Sequence, residues 1–481
     1  MAEGLKTLTY KGVAWSTVER FSLQLVQFVI SVIMARLLDP SDYGLIGMLA
    51  IFMSLSQVFI DGGFSNALIQ RKDCSDEDFS TVFYINLTIS IIVYGLLFLF
   101  APLIASFYEE PLLTSITRVY SLTLIIGSLS AVHNTKLLID IDFKTQSIIS
   151  LTSAIVSGVV GIYSAFKGLG VWALVIQALI GTTLGSLLRF FFVKWLPHRR
   201  FSINSFRTLF AFGSKLLVAQ IISSIYDNLY NLFIGKRFPS NTLGHYTRGN
   251  QFSRLVSVNI SDIFNRVSFP LFSKVQENDE KLLDIYVKYV KMSVFIIFPL
   301  VLGLCGIAKP LVLLLLTDKW LPCVPLLQIL CFAYLFNGVI KVNLNLLYVK
   351  GRSDLVLKLE IIKKTVAVLI LLATIFFDIK IVCLGQVLYS LTALYLNTIY
   401  TKKILGFGFL KQMVTVIPYL SLGFVVLIEA SIISHFITTP WISLALSLII
   451  CTVSYLGLAK LTHLYAYAEI MVGIKNYFKK V

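Results

Sequence analysis

The chain has 481 residues, 57% of them hydrophobic and only 14% charged. Soluble domains carry nearer a quarter charged residues, so this composition excludes a soluble globule and makes the bilayer the solvent for much of the chain. The net charge of +16, from 41 Lys and Arg against 25 Asp and Glu, calls for no nucleic-acid partner, because the loops of membrane proteins collect cations on the cytoplasmic side.

The N-terminal "MAEGLKTLTYKGVAW" carries Lys6 and Lys11, and no small-residue cleavage site follows a short apolar core. It predicts a retained first helix rather than a signal peptide. Apolar runs long enough to span then recur about fourteen times, over 12–38, 43–70, 80–107, 114–137, 145–166, 169–195, 207–238, 241–270, 286–316, 321–349, 355–377, 380–401, 414–436 and 440–464. The expectation is an all-α integral membrane protein that is helix from end to end. The longest polar stretch, "FSKVQENDEKLLD", is too short to fold alone. The six cysteines are scattered through apolar segments with no CxxC or Cys/His cluster, so they read as packing residues, with neither disulfide nor metal expected.

Orientation follows from alternate loops. With the N-terminus inside, the inner loops hold Arg71 and Lys72, Lys136 and Lys144, Lys194, Arg199 and Arg200, and later Lys274, Lys350, Lys402, Lys403 and Lys411. The outer loops, such as "DPSDY", "YEEP" and "PSNT", are poor in cations. Both termini are expected in the cytoplasm.

The chain also repeats itself. "ARLLDPSDYGLIGMLAIF" at 35–52 returns as "GKRFPSNTLGHYTRGNQF" at 235–252, placing Gly44 opposite Gly244. The first span presents Ser16, Arg20, Gln24, Gln27 and Ser31 on one helical face; the seventh presents Gln220, Ser224, Asp227 and Asn231 at matching places. Asp61 and Asp262 correspond nearly as well. Two segments of the same direction, one and seven, imply a parallel repeat of six-helix halves, with the polar stripes lining a shared cavity. The division expected is 1–200 and 201–404 for the two lobes, with two additional helices and a basic tail over 405–481.

The stretch "GVAWSTVERFSLQLVQFVISVIMARLLDPSDYGLIGM", through Gly12, Trp15, Ala35, Arg36, Leu37, Leu38, Pro40, Tyr43 and Gly44, resembles the polysaccharide-transporter branch of the MATE-like (MOP) exporter superfamily. These are lipid-linked oligosaccharide flippases of bacterial O-antigen, capsule and colanic-acid-type assembly. The resemblance implies two pseudo-symmetric six-helix bundles facing each other in a V, plus two C-terminal helices. It also implies a polyprenyl-diphosphate-linked oligosaccharide as cargo, the bacterial inner membrane as location, H⁺ or Na⁺ as candidate coupling ion, and polysaccharide polymerase machinery as a candidate contact. The related peptidoglycan-precursor flippases use a set of cavity arginines, of which this sequence has no clean copy.

Charges inside spans are the candidate site, since each costs roughly 2.5–3.5 kcal/mol at a helix centre on insertion scales. Arg254 and Asp227 sit deepest, and Arg254 lies too far along the eighth span to snorkel easily. Arg20, Lys215, Arg266 and Lys341 lie nearer the cytoplasmic side, where a long cation can reach the headgroups. With Gln24, Gln27 and Asn231 these form the expected substrate-binding set; Asp227, Asp61 and Asp262 are its expected ion-coupling groups or charge partners. Asp262 and Arg266, at i and i+4, are spaced for a local pair, and Asp227 is the expected carboxylate partner if Arg254 is structural. Glu429 has no assigned role. No HExxH, GxSxG or P-loop pattern is present, so neither catalysis, cofactor binding nor ATP-driven transport is expected. Two rivals remain open: a cation-coupled MATE-type drug exporter, whose cavity would be dominated by acids, and an integral-membrane glycan polymerase or glycosyltransferase, which would need a large outer loop or a cytosolic domain.

Overall fold

In the computed structural model, which describes residues 22–71, 73–198 and 201–478, every regular element among the described residues is a helix. Among the described residues, eleven helices are long and apolar enough to cross a membrane. Of the remaining expected runs, Ser22–Leu37 falls short in described length, while Ser240–Lys274 and Ser353–Thr374 are long but carry several charges each. The chain forms two compact units, Met1–Gly244 and His245–Val481.

The first unit contains α1 (Ser22–Leu37), α2 (Pro40–Asp61), α3 (Phe64–Gln70), α4 (Asp76–Tyr108), α5 (Leu112–Tyr120), α6 (Leu122–Ile139), α7 (Phe143–Phe166), α8 (Val171–Phe192) and α9 (Ile203–Arg237). It ends in the opening turn of α10 (Ser240–Lys274). Local chemistry sets the ends. Asp39 caps α2 with Asp42 reaching back to its amide at 3.0 Å, and Pro40 occupies the first turn, where its missing N–H costs nothing. Gly62 and Gly63, both left-handed at φ +54° and +74°, break the expected 43–70 run into α2 and α3. Ser75 caps α4 in a reciprocal box with Asp78. Phe64, Phe79, Phe83, Trp195 and Leu209 form one core cluster; Ile30, Met34, Leu38 and Ala173 form another.

The segment between α8 and α9 is fastened by polar contacts. The Trp195 indole donates to Asp76 at 3.1 Å, His133 Nε2 donates to the Trp195 carbonyl at 3.0 Å, and the His198 and Ser202 amides donate to Ser80 and Thr81. Those groups lack helix partners, so the contacts supply them. The helix α9, which opens the second lobe of the sequence-based division, packs against α2 within this unit.

The repeat noticed in the sequence becomes a contact here. A Cβ on Gly44 would fall 1.8 Å from the Ser240 carbonyl oxygen, and one on Gly244 would fall 1.8 Å from that of Pro40. The two equivalent turns approach each other reciprocally, backbone to backbone, and only glycine leaves room.

The second unit holds the rest of α10 with α11 (Asp279–Gly306), α12 (Ala308–Leu315), α13 (Cys323–Tyr334), α14 (Asn337–Val349), α15 (Ser353–Thr374), α16 (Ile379–Leu405), α17 (Phe409–Phe436), α18 (Pro440–Leu461) and α19 (Tyr465–Phe478). The helix α11 packs against α17, α13 against α16, and α17 against α18. At the α11–α17 crossing a Cβ on Gly423 would lie 2.8 Å from Leu302, a close fit of small residue to branched neighbour. Four helices meet at Asn343 of α14. Its side-chain oxygen accepts from Tyr286 of α11, from Thr401 of α16 at 3.2 Å and from Gln412 of α17 at 3.3 Å, while its amide donates back to Gln412 at 3.2 Å. All four side chains are buried, and the cluster satisfies them together. Glu429 also finds its place: it accepts from Ser454 at 2.5 Å, joining α17 to α18. All six cysteines are free, five of them buried.

Candidate functional site

The helix α10 has three faces. Gly249, Ser253, Ser257 and Ser261 recur every four residues, and the three serines are fully buried. Small side chains on one stripe let backbones approach closely, which is how helices pack where lipid gives no hydrophobic drive. Ser257 donates to the Tyr334 carbonyl at 2.6 Å, Tyr334 donates to Asn250 at 2.6 Å, and Asn345 donates to Ser268 at 2.8 Å. These bonds to α13 and α14 fix the rotation of α10.

With that face pinned, Gln251, Arg254, Asp262 and Arg266 fall within an arc of about 120° at 100° per residue. Arg254 and Arg266 are exposed, and neither has an ion pair among the described residues. Asp262 does not pair with Arg266 as its i+4 spacing suggested; it forms a salt bridge with Lys341 of α14. Helix rotation explains the choice, because the Asp262 side chain leans toward the packed neighbour while Arg266 continues round the exposed arc. Asp227, in the first unit, has no ion pair among the described residues. Val256, on the third face of α10, opens onto an apolar groove of about 450 Å³ lined with Leu300, Leu304, Leu448 and Leu456.

In the first unit the seventh-span stripe divides. Ser224 is buried and donates to Ser54 of α2 at 2.9 Å, and Asn228 donates to the same hydroxyl at 2.9 Å, so this part of the stripe packs helix on helix. Asn231 is half-buried. Asp227 is exposed, and so is Lys215, about half a turn round α9 from Ser224. On α1, Gln24 is half-buried, while Gln27 and Ser31 line a pocket of about 270 Å³ with Ser157 of α7 and Gln177 of α8. Asp61 accepts from Ser65 at 2.5 Å across the Gly62–Gly63 break. Arg20 lies outside the described residues.

Three charged groups escaped the sequence reading. Arg248, buried in α10, donates to Gln251 at 2.7 Å and stacks over Trp320 at 5.4 Å. Lys363, buried in α15, pairs with Glu360 at 2.5 Å, and Lys288 of α11 pairs with Glu469 of α19. A signal existed for Lys363, whose i−3 carboxylate lies in the same expected span. None existed for Arg248, whose aromatic partner comes from a distant turn.

A family model described as "Polysaccharide biosynthesis protein" matches residues 33–325. The teichuronic acid biosynthesis protein TuaB of Bacillus subtilis (strain 168) is 25% identical over 346 residues, 72% of this chain and 72% of that protein. The lipopolysaccharide biosynthesis protein WzxC of Escherichia coli (strain K12) is 27% identical over 369 residues, 75% of this chain and 73% of that protein. Among solved structures, the lipid II flippase MurJ in an inward closed conformation matches with a TM-score of 0.75 at 16% identity, covering 95% of this chain and 99% of that one. At that identity the match establishes a shared fold.

Proposed function

The chain belongs to the polysaccharide biosynthesis protein family, and on that premise we propose that it flips a polyprenyl-diphosphate-linked oligosaccharide across the bacterial inner membrane. The observation that carries the reading is Arg254. It stands about 21 Å along α10 at the helical rise, exposed and without an ion pair among the described residues. A guanidinium kept at such depth is costly unless something anionic comes to it, and its planar fork matches two phosphate oxygens at once. Arg266 on the same arc extends the cationic path, and Gln251 offers hydrogen bonds suited to sugar hydroxyls. The apolar groove beside Val256 has the character needed by a polyprenyl tail.

Transport in this reading uses the two lobes of the repeat, 1–200 and 201–404, exposing the cavity to each side in turn. Lys215 and Asn231 of α9, with Arg20, Gln24 and Gln27 of the first span, are the further groups proposed to bind the cargo. Lys341 acts indirectly, holding Asp262. Asp227 and Asp61 are the carboxylates offered to H⁺ or Na⁺. Both termini are cytoplasmic, and a polymerase outside would consume the flipped unit.

The test is lipid-linked oligosaccharide flipping in reconstituted vesicles. Arg254→Ala should slow flipping by roughly 10- to 100-fold, the worth of a hydrogen bond to a charged group, while melting like the wild type. Arg254→Lys should restore part of the rate, since charge remains and the fork is lost. A well-folded Arg254→Ala protein that flips at the wild-type rate would overturn the assignment. Export of cationic drugs without lipid flipping would favour the drug-exporter rival instead.

A further inference from the structure

We propose that the turn between α16 and α17 is a binding site for an anionic diacyl glycerophospholipid of the leaflet it faces. The inference depends only on the chain lying in a membrane, and not on the cargo it carries. Gly406 ends α16 in the left-handed conformation at φ +67°. The turn that follows borders an open cavity of about 920 Å³ lined by Tyr395, Lys402, Lys403, Phe409, Leu410 and Lys411. The stem of Lys402 lies along Gly408, where a Cβ would come within 3.0 Å of it, and Lys411 donates to the Gly406 carbonyl at 3.2 Å. Tyr395 and Phe409 meet edge to face at 5.6 Å and hold the wall.

Three ammonium groups therefore border one cavity. All three side chains are exposed, and none has a carboxylate partner among the described residues. Local acids are scarce. Beyond Asp378 the sequence holds only Glu429 and Glu469, and these are engaged by Ser454 and Lys288. Among the described residues no carboxylate pairs with these lysines, so an anion from outside the protein meets no competitor.

The surface next to the cavity says which anion. Leu388, Leu391 and Tyr395 are exposed at i, i+3 and i+7 on α16, and Leu410, Val414 and Ile417 are exposed at i, i+4 and i+7 on α17. Each spacing makes one continuous apolar track along one helix, and both tracks start at the lysines. A phosphate with two acyl chains fits a basic cavity with two apolar tracks. Free phosphate would leave the tracks unused, and a polyprenyl diphosphate brings a single chain. Clusters of Lys at a membrane surface attract anionic lipid at about fivefold in affinity per charge.

The experiment uses the full chain in non-ionic detergent with phosphatidylglycerol or phosphatidylcholine added, reading bound lipid by native mass spectrometry and stability by thermal melting. Phosphatidylglycerol should stay bound and raise the melting temperature; phosphatidylcholine should do neither. Lys402→Gln, Lys403→Gln and Lys411→Gln should each weaken phosphatidylglycerol about fivefold, and the triple variant about 100-fold. A charge-matched triple of exposed lysines elsewhere in the unit, Lys274→Gln, Lys281→Gln and Lys358→Gln, should bind as the wild type does. Equal losses in both triples would overturn the site in favour of diffuse attraction. Competition by inorganic phosphate at the lipid's own concentration would overturn the lipid, leaving an anion site only. Displacement by undecaprenyl diphosphate at lower concentration would overturn it in favour of the cargo.

Discussion

A single methyl group tests the contact between the two repeated turns. A side chain on Gly44 has nowhere to go, because what it meets is the Ser240 carbonyl rather than a movable side chain, and Gly244 meets Pro40 in the same way. Gly44→Ala and Gly244→Ala should each lower stability by about 2 kcal/mol or more, as overpacking against backbone does. Gly95, in the middle of α4, has nothing within 4 Å of its missing Cβ, and Gly95→Ala should be neutral or stabilising by up to about 1 kcal/mol. Melting of the three variants in detergent measures both expectations; a Gly44→Ala protein as stable as the wild type would contradict the first. The sequence offset already pairs Gly44 with Gly244, but equivalence in a repeat says nothing of proximity. Asp262 makes the converse point. Its spacing advertises Arg266, while its partner Lys341 is 79 residues away, and no local rule reaches that far.

At the scale of the helix, apolar runs predict where helices lie, because length and hydropathy are local properties. They do not show what pins one helix to the next. The buried cluster around Asn343 joins four helices through one side chain whose neighbours come from positions 286, 401 and 412. Asn343→Leu keeps the branching of the side chain, takes the acceptor from the Tyr286 hydroxyl, and leaves the Thr401 hydroxyl and the Gln412 amide only their bonds to the Asn397 and Phe407 carbonyls. The expected loss is about 2 kcal/mol, larger than one hydrogen bond in a membrane interior and smaller than three independent ones. Asn343→Asp keeps the accepting oxygen but loses the amide donor to Gln412, and should destabilise as well. Unfolding in a denaturing-detergent titration reads both variants; indifference to Asn343→Leu would mean that the cluster is not a clasp. The seventh-span stripe was legible as a polar face, yet Ser224 spends its polarity on Ser54. Periodicity identifies a face that avoids lipid and cannot distinguish a wet face from one bonded to another helix.

For the molecule as a whole, the alternation of basic and neutral turns makes an orientation that labelling can check. In a background without cysteine, Asn241→Cys at the start of α10 and Lys281→Cys in the first turn of α11 should behave oppositely toward an impermeant thiol reagent, the first reacting from outside intact cells and the second only after lysis. Reaction of both from outside would reverse the orientation. The wild-type protein should label little in the same assay: five of its thiols are buried, and burial pushes the half-exposed Cys74 thiol up, leaving less of it as reactive thiolate. The overall class was readable from composition because a chain with 14% charged residues has no other solvent to fold in. The charged helices α10 and α15 were harder, since their charges are balanced by partners, or held for a ligand, that only the packing supplies.

The reciprocal glycine contact also sets an order of assembly. Pro40 and Gly44 find their counterparts in Ser240 and Gly244, so the first unit stays unfinished until the ribosome has passed the second copy of the motif. At about 5–20 residues per second, the interval for roughly 200 residues is some tens of seconds, during which six spans can enter the bilayer one after another. Through that time α2 lacks both its backbone neighbour and the α9 side chains that bond Ser54. In the nascent first half α4, α6, α7 and α8 can already pack on one another, while α2 gains its backbone neighbour only once the pattern has restarted at residue 235.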